Sequence, residues 1–127
     1  TDARLSAGEA LTPEKVIVSV YNASDRSGLA GDTADKLAAQ GFVVDESADA
    51  PAGTRVTVAE LWVDDPQGPV GQLVRSYFGK RVRLVKHEPE GLGVNVILGP
   101  RFRAVVDGKK SIQLTDDVTV CVPNETG

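Results

Sequence analysis

The chain has 127 residues, a length that fits one domain with a single core. Its composition, with 41% hydrophobic and 25% charged residues, is typical of a globular protein. The net charge of −4 argues against general affinity for nucleic acid, because such binding needs a basic surface that displaces counterions.

Cysteine and histidine are scarce, and this limits the chemistry that the chain can support. The only cysteine is Cys121 and the only histidine is His87. An intrachain disulfide is therefore impossible, and a structural zinc site, which needs several such ligands, is not expected. Cys121 lies in a Val-rich stretch and is expected to be a buried strand residue. We predict no metal and no cofactor.

The chain begins with a polar segment and then a strand. Residues 1–14, interrupted by Gly8 and Pro13, are expected to form a linker or a loosely attached arm. A strand is predicted over 16–21, where valines occupy alternate positions. The short polar side chains of 22–27 favour a turn.

A helix is predicted over about 28–40, with Ser27 or Asp25 capping its first N–H groups. One face of this helix carries small apolar residues, which are Ala30, Ala34, Leu37 and Ala38. Gly41 ends the helix, and a short strand is predicted over 42–44.

The next part of the chain repeats the order of strand, turn, helix and strand. A strand over 54–63 is followed by a turn over 64–69 and a helix over roughly 70–78. Two more strands are predicted over 81–86 and 93–98. The predicted fold class is α+β, a split β-α-β (βαββαβ-like) sandwich with a mostly antiparallel sheet and both helices on one face.

Residues 101–127 are expected to form a C-terminal β extension. An Asp-Gly turn at 107–108 predicts a hairpin between 102–106 and 111–114. A further strand is predicted over 118–122, and the last five residues are expected to form a tail.

The stretch 18–24, followed by 27–30 and by Gly41-Phe42, resembles the start of the LytR C-terminal domain family. That family shows a Val-rich strand, an Asn, a short loop, Gly-Leu-Ala, a helix and then Gly-Phe. The later stretch 94–100 is similar to the family's closing strand with its Leu-Gly. The resemblance covers residues 15–100, which are therefore the expected domain.

The resemblance implies a domain outside the bacterial membrane, commonly behind one transmembrane helix that would here lie outside this sequence. Some such domains are attached to LytR-CpsA-Psr enzymes, which transfer glycopolymers onto peptidoglycan. Others stand alone, especially in actinobacteria, and are linked to envelope integrity. We therefore expect a non-catalytic, extracytoplasmic, membrane-anchored domain that binds a cell-wall polymer, a lipid-type ligand or an envelope protein. The alternative is an accessory domain that positions a LytR-CpsA-Psr phosphotransferase.

The junction between the first strand and the first helix is the best candidate for a site. The first N–H groups of a helix suit an anion, although the spacing of a phosphate-binding loop is absent. The candidate binding residues at this junction are Asn22, Ser24, Ser27, Gly28 and Leu29. The alternative is a capped helix with a structural asparagine.

Two aromatic residues complete the candidate ligand-binding set. If Tyr21 and Trp62 share the open face of the sheet, they could stack on sugars or accept a peptide. The alternative is that both are buried in the core.

No catalytic residue is predicted. Asp64 and Asp65 are adjacent and precede Pro66, which favours a surface turn over a pair of converging carboxylates. His87 lies in a loop without a partner nearby in the sequence. A small hydrolase is therefore the weakest interpretation. The basic run 80–86 could touch an anionic polymer, or it could be the solvated face of an edge strand.

Overall fold

The structure, a computed structural model, describes residues 2–79 and 81–121. This part of the chain forms two helices, α1 (Leu29–Ala39) and α2 (Pro69–Arg75), and a 3-10 turn at Pro13–Lys15. It also forms nine strands, which are β1 (Asp2–Leu5), β2 (Ala10–Leu11), β3 (Ile17–Asn22), β4 (Val43–Asp49), β5 (Ala59–Val63), β6 (Arg83–Lys86), β7 (Val94–Leu98), β8 (Ile112–Gln113) and β9 (Val118–Cys121).

The central sheet has five strands in the order β4-β3-β7-β5-β6. Strand β3 pairs in parallel with both β4 and β7, and β5 pairs in parallel with β6. Only the pairing of β5 with β7 is antiparallel in this sheet. The α+β class is confirmed.

The pairing within the central sheet differs from the mostly antiparallel pattern that was expected. The strand that follows each helix lies next to the strand that precedes the helix. The segments β3-α1-β4 and β5-α2-β6 are therefore parallel β-α-β units. Strand β7 then enters between the two units, beside β3 and β5. The order of elements along the chain does not reveal this last insertion.

Both helices pack on the same face of the central sheet, as predicted. Buried residues of α1 and α2 join one large apolar cluster with every second residue of β3, β5 and β7. Helix α1 contributes small residues to this cluster, including Ala30 and Ala34, which allow it to lie close to the sheet.

The start of α1 differs from the prediction. Its N-cap is Gly28, at a φ of 78°, and no side chain caps the helix, so neither Ser27 nor Asp25 has the predicted capping role. A φ in this left-handed region turns the chain sharply into the helix, and glycine adopts it without steric cost.

The opposite face of the sheet carries a second, smaller apolar cluster centred on Tyr21, Trp62 and Ile97. Loops cover this face where helices do not. The loop before β7 crosses Ser19 and Tyr21: the Leu92 carbonyl accepts a bond of 2.8 Å from Ser19 Oγ, and a Cβ at Gly91 would meet the Tyr21 hydroxyl. The central strands are therefore covered on both faces.

The two ends of the described chain pair with each other. Strand β1 pairs antiparallel with β9, and β2 pairs antiparallel with β8. Leu11 is fully buried in the main core. Residues 2–11, expected to form a linker or loose arm, therefore contribute two strands and a core side chain.

The hairpin expected around Asp107-Gly108 does not form. Residues 102–110 contain no strand, because they run along the end of α2 instead: the Val106 N–H donates to the Tyr77 carbonyl at 2.8 Å, and Tyr77 Oη donates to the Lys109 carbonyl at 2.6 Å. The predicted strand near 118–122 is present as β9. The predicted burial of Cys121 and the predicted tail lie outside the described side chains and residues.

Candidate functional site

The parallel pairing of β5 with β6 brings two segments of the chain together where these strands end. Val63 lies opposite Lys86, and the His87 N–H donates to the Val63 carbonyl at 3.4 Å. Residues that directly follow the two strands therefore meet at one edge of the sheet, which is where open α/β sheets commonly bind ligands.

A cavity of about 540 Å³ lies at this edge, and we call it the Trp62 cavity. Its volume is within the usual range for small-molecule sites. Its apolar lining residues are Val16, Ile17, Trp62, Val63, Pro69, Val70, Pro89, Leu92, Val94 and Val118. The ionisable ones are Lys15, Asp64, Asp65, His87 and Asp117. The cavity thus combines an apolar wall with charged groups.

The aromatic part of this wall is a stacked pair. The Trp62 indole and the His87 imidazole lie 3.8 Å apart between ring centroids, at 15° between planes. Trp62 Nε1 donates to Glu60 Oε1 at 3.1 Å, which fixes the indole in its plane. Trp62 is 7% exposed, whereas His87 is exposed, so the imidazole covers the indole from the solvent side.

Two of the three lining carboxylates, those of Asp64 and Asp65, come from the turn between β5 and α2. Asp65 Oδ1 accepts a bond of 3.1 Å from the Gln67 N–H, and the Asp65 carbonyl accepts one of 3.0 Å from the Gly68 N–H. This confirms the surface turn predicted at 64–69. Asp64 and Asp65 are both exposed and line the cavity together with His87. They can accept hydrogen bonds from hydroxyl groups of a ligand.

The opposite wall is the loop that joins β6 to β7, residues 87–93. Asn95, which is fully buried, holds this loop through its side-chain amide. Its Oδ1 accepts bonds from the N–H groups of Glu90 (2.6 Å) and Gly91 (3.0 Å), and its Nδ2 donates to the carbonyls of Gly91 (2.9 Å) and Gly93 (3.3 Å). The loop places Leu92, which is 47% exposed, on the cavity.

The structure places Tyr21 on the same sheet face as Trp62 but away from the cavity lining. Tyr21 is 4% exposed, and Tyr21 Oη donates to Glu46 Oε2 at 2.7 Å. Burial, together with the neighbouring Glu46 carboxylate, raises the pKa of Tyr21 to about 12. The loop over Tyr21 is close-fitting, since a side chain at Gly91 would overlap the Tyr21 hydroxyl.

Asn22 and Ser24 organise the turn after β3. Asn22 Oδ1 accepts bonds from the Ser24 N–H (2.9 Å) and Ser24 Oγ (2.6 Å), and Asn22 Nδ2 donates to the Arg26 carbonyl at 2.7 Å. The side-chain atoms of Asn22 are thus engaged by the turn itself, which favours the structural interpretation of this asparagine.

The remaining candidates, Ser27, Gly28 and Leu29, lie at the start of α1. Ser27 and Leu29 line a different cavity, of about 260 Å³, together with Arg26 and Arg103. Of the seven candidate ligand-binding residues, only Trp62 lines the Trp62 cavity.

The sequence alone predicts a surface turn at Asp64 and Asp65 and a histidine without a partner at His87. The signal that could have brought them together is the second β-α-β unit. Parallel strands of such a unit end side by side, so residues that follow both strands converge. In the mostly antiparallel sheet that the sequence predicts, neighbouring strands end at opposite edges, so this convergence is not expected.

Within residues 2–79 and 81–121, no group of three or more His, Cys, Asp or Glu side chains is placed to hold a metal ion. No helix in the same residues has the length and apolar character needed to cross a bilayer.

Comparison with known proteins gives two matches. Residues 15–102 match the family described as "LytR cell envelope-related transcriptional attenuator". The fold is similar to that of the soluble domain of a conserved hypothetical secreted protein from Mycobacterium marinum, with a TM-score of 0.59 and 21% sequence identity over 82% of this chain and 70% of that chain. No curated protein matches the sequence.

Proposed function

Because the chain belongs to the LytR cell envelope-related transcriptional attenuator family, we propose that it is a non-catalytic, extracytoplasmic domain that binds a cell-wall glycan in the Trp62 cavity. The observation that carries the proposal is the cavity itself, in which an aromatic stack and the carboxylates of Asp64, Asp65 and Asp117 lie beside an apolar wall. The description of the family as envelope-related and of the Mycobacterium marinum protein as secreted supports the location. Membrane anchoring through a segment outside this sequence is part of the proposal.

A sugar chain fits the chemistry of this cavity better than a fully apolar ligand does. Sugar rings present C–H groups that pack on aromatic and aliphatic side chains, and hydroxyl groups that donate to carboxylates. The exposed carboxylates of Asp64 and Asp65 would accept these hydroxyl groups, while the His87–Trp62 stack would support a ring.

The contacts of His87 support a binding role over a catalytic one. Its Nδ1 donates to the Glu88 carbonyl at 2.7 Å, and its ring packs flat on Trp62. A histidine that activates a nucleophile lies against it, and no Ser, Thr or Cys is among the described residues that line the cavity.

The experiment uses Trp62, the only tryptophan of the chain, as a built-in probe of the cavity. We expect its fluorescence to change when soluble glycan strands released from peptidoglycan are added. The substitutions Asp64→Asn and His87→Ala should weaken binding about tenfold, the usual effect of losing one hydrogen bond to a charged group or one ring contact. Asp45→Asn, an exposed carboxylate on β4, is the matched control and should bind normally. A chain that binds no strands at low salt would refute the proposal.

A lipid-type ligand is the second candidate, because aliphatic side chains dominate the lining and Leu92 is 47% exposed. The same fluorescence titration with oleic acid separates the two candidates. Binding of oleic acid that is weakened by Leu92→Ala and unchanged by Asp64→Asn would favour the lipid.

A further inference from the structure

Four arginines surround one cavity on a chain whose net charge is −4. This cavity, of about 350 Å³, is lined by Arg26, Arg81, Arg101 and Arg103, together with Pro100 and Phe102. We call it the arginine cavity. It shares no lining residue with the Trp62 cavity.

The segment that carries two of these arginines is anchored to the core. Phe102 is 3% exposed, and its ring lies 5.7 Å from that of Phe78. The Arg101 N–H donates to the Thr57 carbonyl at 2.9 Å. Because Phe102 is buried between them, the exposed Arg101 and Arg103 are held at fixed backbone positions on the surface.

A third arginine is tied to the same segment. Arg26 Nη2 donates to the Phe102 carbonyl at 2.6 Å, which orients its guanidinium at the cavity. A guanidinium has five N–H donors, so this bond leaves the others for a ligand. The fourth, Arg81, is exposed and directly precedes Val82, which is 2% exposed and anchors the backbone there.

Among the described residues, no carboxylate lies in the wall of the arginine cavity: no Asp or Glu is among its lining residues. Within the described part of the chain, the salt bridge found joins Arg4 to Asp117, and neither residue lines the arginine cavity. The adjoining cavity of about 260 Å³ shares Arg26 and Arg103 and adds one cation, Lys36, and one acid, Asp32. Lys36 and Asp32 offset each other, so the net positive charge of this adjoining cavity is that of the two shared arginines.

We propose that the arginine cavity binds a phosphate-bearing ligand, such as a pyrophosphate or phosphodiester group. Guanidinium groups match phosphate oxygens with pairs of parallel hydrogen bonds, and their charge is permanent. Four of them around one concave surface repel one another until an anion lies between them. This site goes beyond the glycan-binding function proposed above, because it rests on different residues.

The test is a titration of the whole chain with inorganic pyrophosphate at low salt, followed by calorimetry. Binding is expected, and it should weaken as the salt concentration rises. The double substitution Arg101→Gln/Arg103→Gln should weaken binding at least about tenfold, since each charge-assisted bond lost contributes about that factor. The control is Arg55→Gln/Arg83→Gln, which removes the same charge from exposed arginines outside the cavity and should bind normally.

Two outcomes would overturn the proposal. One is an absence of binding to both inorganic pyrophosphate and phosphatidylglycerol vesicles at low salt. The other is equal weakening in the control variant, which would indicate general attraction by surface charge. If only the vesicles bind, and the loss of Arg101 and Arg103 abolishes that binding, the proposal stands with a phosphodiester ligand. If both probes bind through Arg101 and Arg103, the proposal stands and the phosphate can be carried by a lipid. If only pyrophosphate binds, the proposal stands with a phosphate that is not at a bilayer surface.

Discussion

Asn95 connects the core of the sheet to one wall of the Trp62 cavity. A polar side chain in the middle of a buried strand is costly unless its donors and acceptors are satisfied. The Asn95 amide meets this requirement with four hydrogen bonds to the loop 87–93. The shape of that wall therefore depends on one side chain.

Replacing Asn95 with alanine should lower the free energy of unfolding by about 1–3 kcal/mol, because the backbone N–H groups that donate to its Oδ1 lose their acceptor. Urea denaturation measures this loss, and faster exchange of the Glu90 and Gly91 amide protons would locate it in the loop. Gln113→Ala, an exposed amide, is the control and should change stability by less than about 0.5 kcal/mol. Equal effects of the two substitutions would contradict the role given to Asn95.

Tyr21 makes the stability of the fold depend on pH in the alkaline range. Its pKa is about 12 in the fold, against 10.0 for a free phenol, because burial and the Glu46 carboxylate disfavour the phenolate. Since the fold favours the protonated form, this stabilisation is complete below pH 10.0 and is lost as the pH rises to about 12. Urea denaturation on both sides of this range should show the loss.

The variant Tyr21→Phe isolates this contribution, because it has no phenol to ionise at that position. Burial also raises the pKa of Tyr77, so some alkaline loss of stability should persist in the variant. We expect a smaller fall than in the unsubstituted chain. Parallel falls in both proteins would show that Tyr21 is not the cause.

At the scale of elements, the placement of β7 determines the strand order of the central sheet and the position of the Trp62 cavity. Strand β7 lies between β3 and β5, and its first residue follows Gly93. Gly93 has a φ of 73°, and a Cβ at this position would overlap the Ile17 carbonyl oxygen of β3. The chain thus enters the middle of the sheet through a contact that only glycine permits.

The substitution Gly93→Ala should be more destabilising than a positive φ alone explains. Gly53 provides the matched control, because its φ is 87° and no atom lies within 4 Å of a Cβ built there. Gly53→Ala should cost about 1 kcal/mol of unfolding free energy through backbone strain. Gly93→Ala should cost about 1–3 kcal/mol more, because the side chain must displace β3. Urea denaturation of both variants tests this, and similar costs would mean that β3 and β7 can separate at Gly93.

The elements themselves were largely predictable, while their pairing was not. Alternating valines and the stripe of Ala30, Ala34 and Leu37 are local patterns, so strands and helices near 17–22, 29–39 and 94–98 follow from the sequence. The insertion of β7 depends on long-range contacts that no local pattern encodes. The Trp62 cavity depends on that pairing, which explains why only one of its lining residues was predicted as a binding residue.

At the scale of the whole molecule, the N-terminal segment is part of the core. The composition of this segment is polar, yet its Leu11 is fully buried against the main cluster. Leu11 lies in a strand of only two residues. Helix α1 and the segment around Leu114, which is also buried, share this cluster with it. The fold therefore extends beyond the residues that match the family.

Leu11→Ala should destabilise the chain by about 2–5 kcal/mol, the usual cost of such a truncation in a core. The same change at Leu92, which is 47% exposed, should cost less than about 0.5 kcal/mol. Thermal unfolding of the two variants compares them directly. A loosely attached arm, as first expected for residues 1–14, would instead give two similar values.

The antiparallel pairing of β1 with β9 also determines how the molecule responds to mechanical load. Residue 2 lies opposite residue 121, so tension applied at these two points acts across the ladder and not along it. Hydrogen bonds loaded in this direction break one after another and not all at once. The terminal strands would peel away at low force while the five-stranded sheet stays folded, which would lengthen the molecule between residues 2 and 121.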